Sequence, residues 1–195
     1  MLTTKQSKSA KVLLCGMKNV GKTCLIEQLI YGNVTLETKY NPTIEDIYIA
    51  SVDTGKSPRE SLRIFDTAGI QGKAEYPKHY HQFPDAYILV YDPQDPASLD
   101  MLADIKSDID RNKEKKEAVI IVLANVHSNV PDSGIDSHKA NNWCAREKIK
   151  HYTVNAMERA SLYEPFVSLT IRLHPAQSKS TFTQFSKVMQ KTKSD

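Results

Sequence analysis

The chain has 195 residues, 40% of them hydrophobic and 25% charged, which is enough for one domain with a complete core and short for two. The formal net charge is +3; residues 176–195 alone hold four Lys against one Asp, so the rest is near neutral and offers no basic face for nucleic acid. Three cysteines, Cys15, Cys24 and Cys144, with no Cys-x-x-Cys pair, exclude a disulfide framework and zinc-ligand spacing.

Met1–Ala10 is polar and basic, without the apolar run of a signal peptide. Lys11–Gly16 is a short apolar run ending in glycine and predicts a buried strand. Gly21–Tyr31 places Leu25, Leu29 and Ile30 at helical spacing. Ile44–Val52 and Glu60–Phe65 predict two strands around a turn at Asp53–Pro58, and Ala86–Tyr91 and Ala118–Leu123 predict two more buried strands. Between the latter, Asp95–Asn112 predicts a helix with Asp95 as cap, Pro96 in the first position and Leu99, Leu102, Ile105 and Ile109 as its apolar stripe. Lys150–Val154 is a last short strand. Ser161 and Glu164 have the spacing of a capping box for a final helix that stops at Pro175. Trp143 is expected to pack a helix onto the sheet. Strands alternating with helices predict a mostly parallel sheet covered on both faces.

Gly16-Met17-Lys18-Asn19-Val20-Gly21-Lys22-Thr23 fits G-x4-G-K-[ST]. Backbone N–H groups of such a loop wrap phosphates, the helix N-terminus adds favourable potential, the lysine reaches the terminal phosphates, and the hydroxyl can hold Mg²⁺. The run follows a predicted strand and opens a predicted helix, which is the context that gives the motif its meaning. Gly16, Asn19, Val20, Gly21, Lys22, Thr23 and Cys24 are the candidate phosphate-binding residues. Downstream come Tyr40-Asn41-Pro42-Thr43 and Asp66-Thr67-Ala68-Gly69. Asp66 at a strand end and Thr43 on a loop are candidate Mg²⁺ ligands beside Thr23, and the Gly69 amide can meet a γ-phosphate.

These motifs, in this order and spacing, resemble the Ras superfamily of small GTPases over about residues 10–175. The resemblance implies an α/β small GTPase (P-loop NTPase) fold. Its sheet is six-stranded and mostly parallel, with one antiparallel edge strand and helices on both faces. It also implies GTP or GDP with Mg²⁺ as cofactors, Thr43 in switch I, and Asp66 through about Tyr80 in switch II. The domain boundaries follow as a flexible N-terminus over 1–10, a Ras-like G domain over 11–175 and a flexible basic tail over 176–195.

Several positions depart from a working switch. Ile70 follows Asp66–Gly69 where the family usually has a water-orienting Gln. An aliphatic side chain cannot orient water, so hydrolysis is expected to be slow and no catalytic residue is assigned. Lys18 replaces a usual glycine, and either points to solvent or touches the γ-phosphate. The guanine-reading Asn-Lys-x-Asp pattern becomes Asn125-Val126-His127-Ser128. Asn125 is kept, Val126 lacks the covering stem, and Ser128 lacks a carboxylate, with Asp132 as a distant substitute. Charge-assisted bonds of this kind are worth roughly 1.5–3 kcal/mol, so guanine selectivity is expected to weaken. Asn155-Ala156-Met157 stands where the family has Ser-Ala-Lys. This leaves Asn125, Ser128, Ala156 and Met157 as base-binding candidates, with the Ala156 amide expected to meet the guanine carbonyl.

Glu27–Asn33, Glu45–Tyr48, Asp110–Glu117, Ser161–Val167 and Gln177–Ser180 resemble the kappaB-Ras branch, the NF-kappa-B inhibitor-interacting Ras-like proteins. That resemblance implies a regulator acting by contact with I-kappa-B-type inhibitors and with the GTPase-activating complex for Ral. Leu2 excludes an N-myristoyl group, and Thr192-Lys193-Ser194-Asp195 holds no prenylatable cysteine, so no direct lipid anchor is expected and the location is expected to be cytoplasmic. A conventional cycling GTPase switch and a P-loop enzyme of another kind, such as a nucleotide kinase, are the alternatives. His79 and His81 are expected to be solvent-exposed rather than a metal pair.

Overall fold

The computed structural model describes residues 9–55, 58–71, 77–112, 118–126 and 137–175. In chain order the elements are β1 (Ala10–Gly16), α1 (Lys22–Tyr31), β2 (Glu45–Val52), β3 (Glu60–Thr67), β4 (Ala86–Tyr91), α2 (Pro96–Asn112), β5 (Val119–Asn125), α3 (Ser137–Arg146), β6 (Lys150–Val154) and α4 (Tyr163–Leu173). Short 3-10 turns at Lys78–His81 and Arg159–Leu162 precede β4 and α4.

The strands form one six-stranded sheet in the order β2-β3-β1-β4-β5-β6. Only β2–β3 is antiparallel, with Glu45 opposite Thr67 at one end and Val52 opposite Glu60 at the other. The strands β1, β4 and β5 are almost continuous apolar runs because both of their faces are covered. Val12, Leu14 and Ile64 meet Leu25 and Ile26 of α1 and Phe166 and Leu169 of α4 on one face. Leu13, Cys15 and Leu89 meet Leu99, Leu102, Ile105 and Ile109 of α2 and Ala140 and Cys144 of α3 on the other. Trp143 packs half-buried against that second cluster.

β1 lies between β3 and β4, so chain connections leave it in both directions across the sheet. In open α/β sheets the crevice at the carboxyl ends of such strands is where ligands bind. Gly16 ends β1 there and Thr67 ends β3.

Two local expectations are corrected. Ser161 does not cap α4, which starts from Leu162 without a side-chain cap. Its hydroxyl donates instead to the carbonyls of Asn155 and Glu158 (3.1 and 2.8 Å) and accepts from the Asn155 amide (3.0 Å), which closes the turn before the helix. His81 is buried at 3% exposure, with Nε2 3.0 Å from Asp108 Oδ2 on α2. The 3-10 turn aims it at the helix, whereas His79 remains on the surface and meets Tyr80 edge to face. Asp95 does act as expected, its carboxylate accepting from the Ala97 amide at 3.1 Å.

Candidate functional site

The loop between β1 and α1 is shaped by backbone demands. Gly16 has φ +154°, and a Cβ there would lie 2.2 Å from the Val90 carbonyl oxygen. Asn19 adopts φ +67°. Gly21 has φ +85° and precedes α1 without a side chain to cap the first-turn amides of Lys22, Thr23 and Cys24. Those residues line a cleft of about 460 Å³ together with Lys18, Asn19, Tyr40–Thr43 and Thr67–Gly69. Amides at a helix start beside a buried ammonium form an anion site.

Lys22 is buried, and its ammonium donates to the carbonyls of Gly16 and Met17 (3.3 and 3.1 Å). Burial lowers its pKa, opposed by the nearby Asp66 carboxylate. Asp66 is fully buried, and burial raises its pKa against the Thr23 hydrogen bond and the Lys22 charge. Thr23 Oγ1 donates to Asp66 Oδ2 at 2.6 Å and lies 2.8 Å from Thr43 Oγ1. The three expected cation ligands, from α1, switch I and β3, therefore meet at one point.

Asp66 Oδ1 is buried with no hydrogen-bond partner among the described residues. A buried carboxylate oxygen of that kind calls for a cation or ordered water, and two hydroxyls beside it supply the hard oxygen donors that Mg²⁺ takes. The residues present fit Mg²⁺ held beside a polyphosphate. The described residues contain no cluster of three or more His, Cys, Asp or Glu that could hold a different kind of metal.

Gly69 packs against the loop, where a Cβ would lie 2.3 Å from Lys18 Cα. The next residue, Ile70, forms a parallel bridge with Met17: the Ile70 amide donates to the Gly16 carbonyl and the Lys18 amide to the Ile70 carbonyl, both at 3.1 Å. The Ile70 side chain packs half-buried against the α2-face cluster. It is not on the cleft wall, whereas its neighbour Gln71 is. Sequence reasoning overlooked Gln71; the only signal was a glutamine one place beyond the usual one.

On the base side, Asn125 is buried and joins two loops. Its Nδ2 donates to the Val20 carbonyl (3.0 Å), and its Oδ1 accepts from the Ala156 amide (3.2 Å). The amide expected to meet a guanine carbonyl is thus turned to Asn125. Met157 is half-buried against the core on the α1 and α4 face of the sheet, and its carbonyl accepts from Gln28 Nε2 at 3.3 Å. Arg159 donates to the Leu29 and Ile30 carbonyls and so holds this loop to the end of α1. Ser128 and Asp132 lie outside the described residues, as do residues 176–195 with the predicted tail and most of the N-terminal segment.

Comparison with known proteins agrees with this geometry. The Ras family model matches residues 11–174. The NF-kappa-B inhibitor-interacting Ras-like protein of Drosophila melanogaster is 63% identical over 97% of this chain and 96% of its own length. The NF-kappa-B inhibitor-interacting Ras-like protein 1 of Mus musculus is 41% identical over 90% of this chain and 91% of its own. The NF-kappa-B inhibitor-interacting Ras-like protein 2 of Homo sapiens is 40% identical over 90% and 92%. The family match over residues 11–174 and a relative that covers nearly the whole chain lead to one conclusion: this chain belongs to the Ras family of small GTPases, among the kappaB-Ras-like members.

Proposed function

We propose that this protein is a regulatory Ras-like nucleotide binder that holds GTP or GDP with Mg²⁺, hydrolyses GTP slowly, and acts by protein contact. The observation that carries this reading is the asymmetry of the site. Lys22, Thr23, Thr43 and Asp66 are assembled for phosphate and cation, while Ile70, at the usual glutamine position, is bonded to the phosphate loop and packed half-buried against the core.

Lys22 and the amides of the loop bind the terminal phosphates, Asp66 and the two threonine hydroxyls hold the cation, and Gly69 brings an amide to the γ-phosphate side. Mg²⁺, when bound, neutralises charge that develops on the phosphate oxygens. Phosphoryl transfer on this scaffold depends mainly on positioning, so losing the usual water-orienting side chain slows it. Val126 and Ser128 in the base-reading segment further support relaxed guanine selectivity.

The partner is an I-kappa-B-type inhibitor, as the names of the relatives indicate for those proteins, and contact with the Ral GTPase-activating complex belongs to the same reading. The residence is cytoplasmic. Ile44, Ile47 and Ile49 at switch I and the edge strand β2 are 87%, 56% and 65% exposed, an apolar patch that suits a protein partner.

Two measurements test the reading. Nucleotide released from the purified protein is expected to be guanine nucleotide with retained triphosphate; an empty protein would remove the reading. An I-kappa-B inhibitor is expected to be retained by wild type and lost on Ile49→Asp, with nucleotide content unchanged. Equal retention by both would move the contact away from β2. A conventional cycling switch is the second reading, favoured by the complete phosphate and cation set; it requires readily exchanging GDP instead.

A further inference from the structure

We infer that Gln71 is the water-orienting residue of this site, displaced by one position from the family pattern. The inference rests on the proposal that the cleft binds GTP, and goes beyond it by assigning the turnover that remains.

The Ile70 amide and carbonyl are both bonded to the phosphate loop, at Gly16 and Lys18. Its side chain is committed to the apolar cluster on the α2 face. Successive side chains of an extended segment point to opposite sides. The residue after an inward Ile70 therefore emerges on the other side, and Gln71 is exposed and lines the phosphate cleft. The same cleft is walled by Lys18, Gly69, Thr43 and Lys22. Lys22 and Gly69 serve the terminal phosphates, and Thr43 the cation. Asn19 and Asn41 also line the cleft, from the phosphate loop and from the Thr43 loop, and Gln71 is the carboxamide that follows Gly69 and Ile70 on the γ-phosphate side.

A glutamine carboxamide has the chemistry for this task. Its carbonyl oxygen accepts a hydrogen bond from the attacking water, and its NH₂ group can donate to a γ-phosphate oxygen. The water oxygen bonds to the γ-phosphorus. The bond from the γ-phosphorus to the β–γ bridging oxygen breaks, its electron pair leaving on the diphosphate, and both water protons end on the released phosphate. Gln71 neither gains nor loses a proton. Ile70 contributes by fixing the segment through its backbone bonds and half-buried side chain, so it acts as a positioning residue for Gln71.

The test is single-turnover hydrolysis of GTP by the full chain with Mg²⁺, with GTP affinity and thermal stability measured on the same preparations. Gln71→Ala is expected to lower the rate roughly tenfold or more, with affinity and melting temperature unchanged. Ile70→Leu, which keeps an apolar anchor, is expected to retain the wild-type rate within about threefold. Wild-type hydrolysis persisting in Gln71→Ala overturns the assignment. So does a wild type that binds GTP yet hydrolyses it no faster than free nucleotide, an outcome that leaves the nucleotide-clamp reading standing. Failure to bind GTP at all defeats both.

Discussion

At the scale of single residues, the site holds a polar core that costs the fold something and gives it a ligand site. Asp66 is fully buried with one oxygen bonded to Thr23 and the other without a partner among the described residues. Unmet buried acceptors cost about 1–3 kcal/mol, and more when charged. Asp66→Asn keeps the shape and removes the charge. It is expected to leave the nucleotide-free protein at least as stable as wild type, while weakening Mg²⁺-dependent GTP affinity by roughly tenfold to a hundredfold. Melting curves and equilibrium binding with and without Mg²⁺ check this; loss of stability without loss of Mg²⁺ dependence would assign Asp66 a structural role instead.

Much of this residue level was legible in the sequence. The spacing from Gly16 to Asp66 singled out the loop and the three oxygen-bearing side chains that the structure brings together, because phosphate chemistry tolerates few residue types there. The rest depended on direction, which composition does not encode. Nothing in the sequence reveals that Ile70 turns inward and bonds to Gly16 and Lys18, or that Gln71 consequently reaches the cleft. His81 was misread for the same reason: two histidines at i and i+2 do not disclose that a 3-10 turn buries one against Asp108.

At the scale of elements, strands were read more easily than the helix ends. Apolar runs such as Ala86–Tyr91 can only be buried strands of a covered sheet, and the structure places them so. α3 was harder, because Ser137–Arg146 is polar and its buried contacts come down to Ala140, Trp143 and Cys144. Ser161 had the spacing of a cap, but its hydroxyl found acceptors in the preceding turn, where Asn155 and Glu158 present carbonyls.

The junction of β4, α3 and β6 carries a pH-dependent contact. His151 stacks on Tyr91, with Nε2 3.1 Å from the Tyr91 hydroxyl and Nδ1 2.7 Å from Asn141 Oδ1. These partners suit a neutral ring that donates from Nδ1 and accepts at Nε2, and burial lowers its pKa. A folded-state pKa below the unfolded value means the unfolded chain binds the proton first as pH falls. Stability is therefore lost on descending through the ordinary histidine range. Between about pH 7 and about pH 5, wild type should lose more unfolding free energy than His151→Gln. Parallel pH profiles from denaturant titration would contradict this.

At the scale of the molecule, the sheet order brings the ends of β1 and β3 to one crevice, and two bonding systems close around it. Asn125 and Gln28 tie the base-side loop to the phosphate loop and α1. Ile70 ties switch II to the phosphate loop from the opposite side. All of these are protein–protein bonds, so the cleft is held open for phosphate by the fold itself. Its candidate phosphate and cation groups are gathered in one place, and on the inference above its hydrolytic group stands one residue out of register. The account's central claim is a site that retains GTP and turns it over slowly. The direct measurement is the single-turnover GTP hydrolysis rate of the wild-type protein with Mg²⁺. It should fall at least about tenfold below the roughly 4 × 10⁻⁴ s⁻¹ intrinsic rate of Ras, and a rate equal to that of Ras would contradict the account.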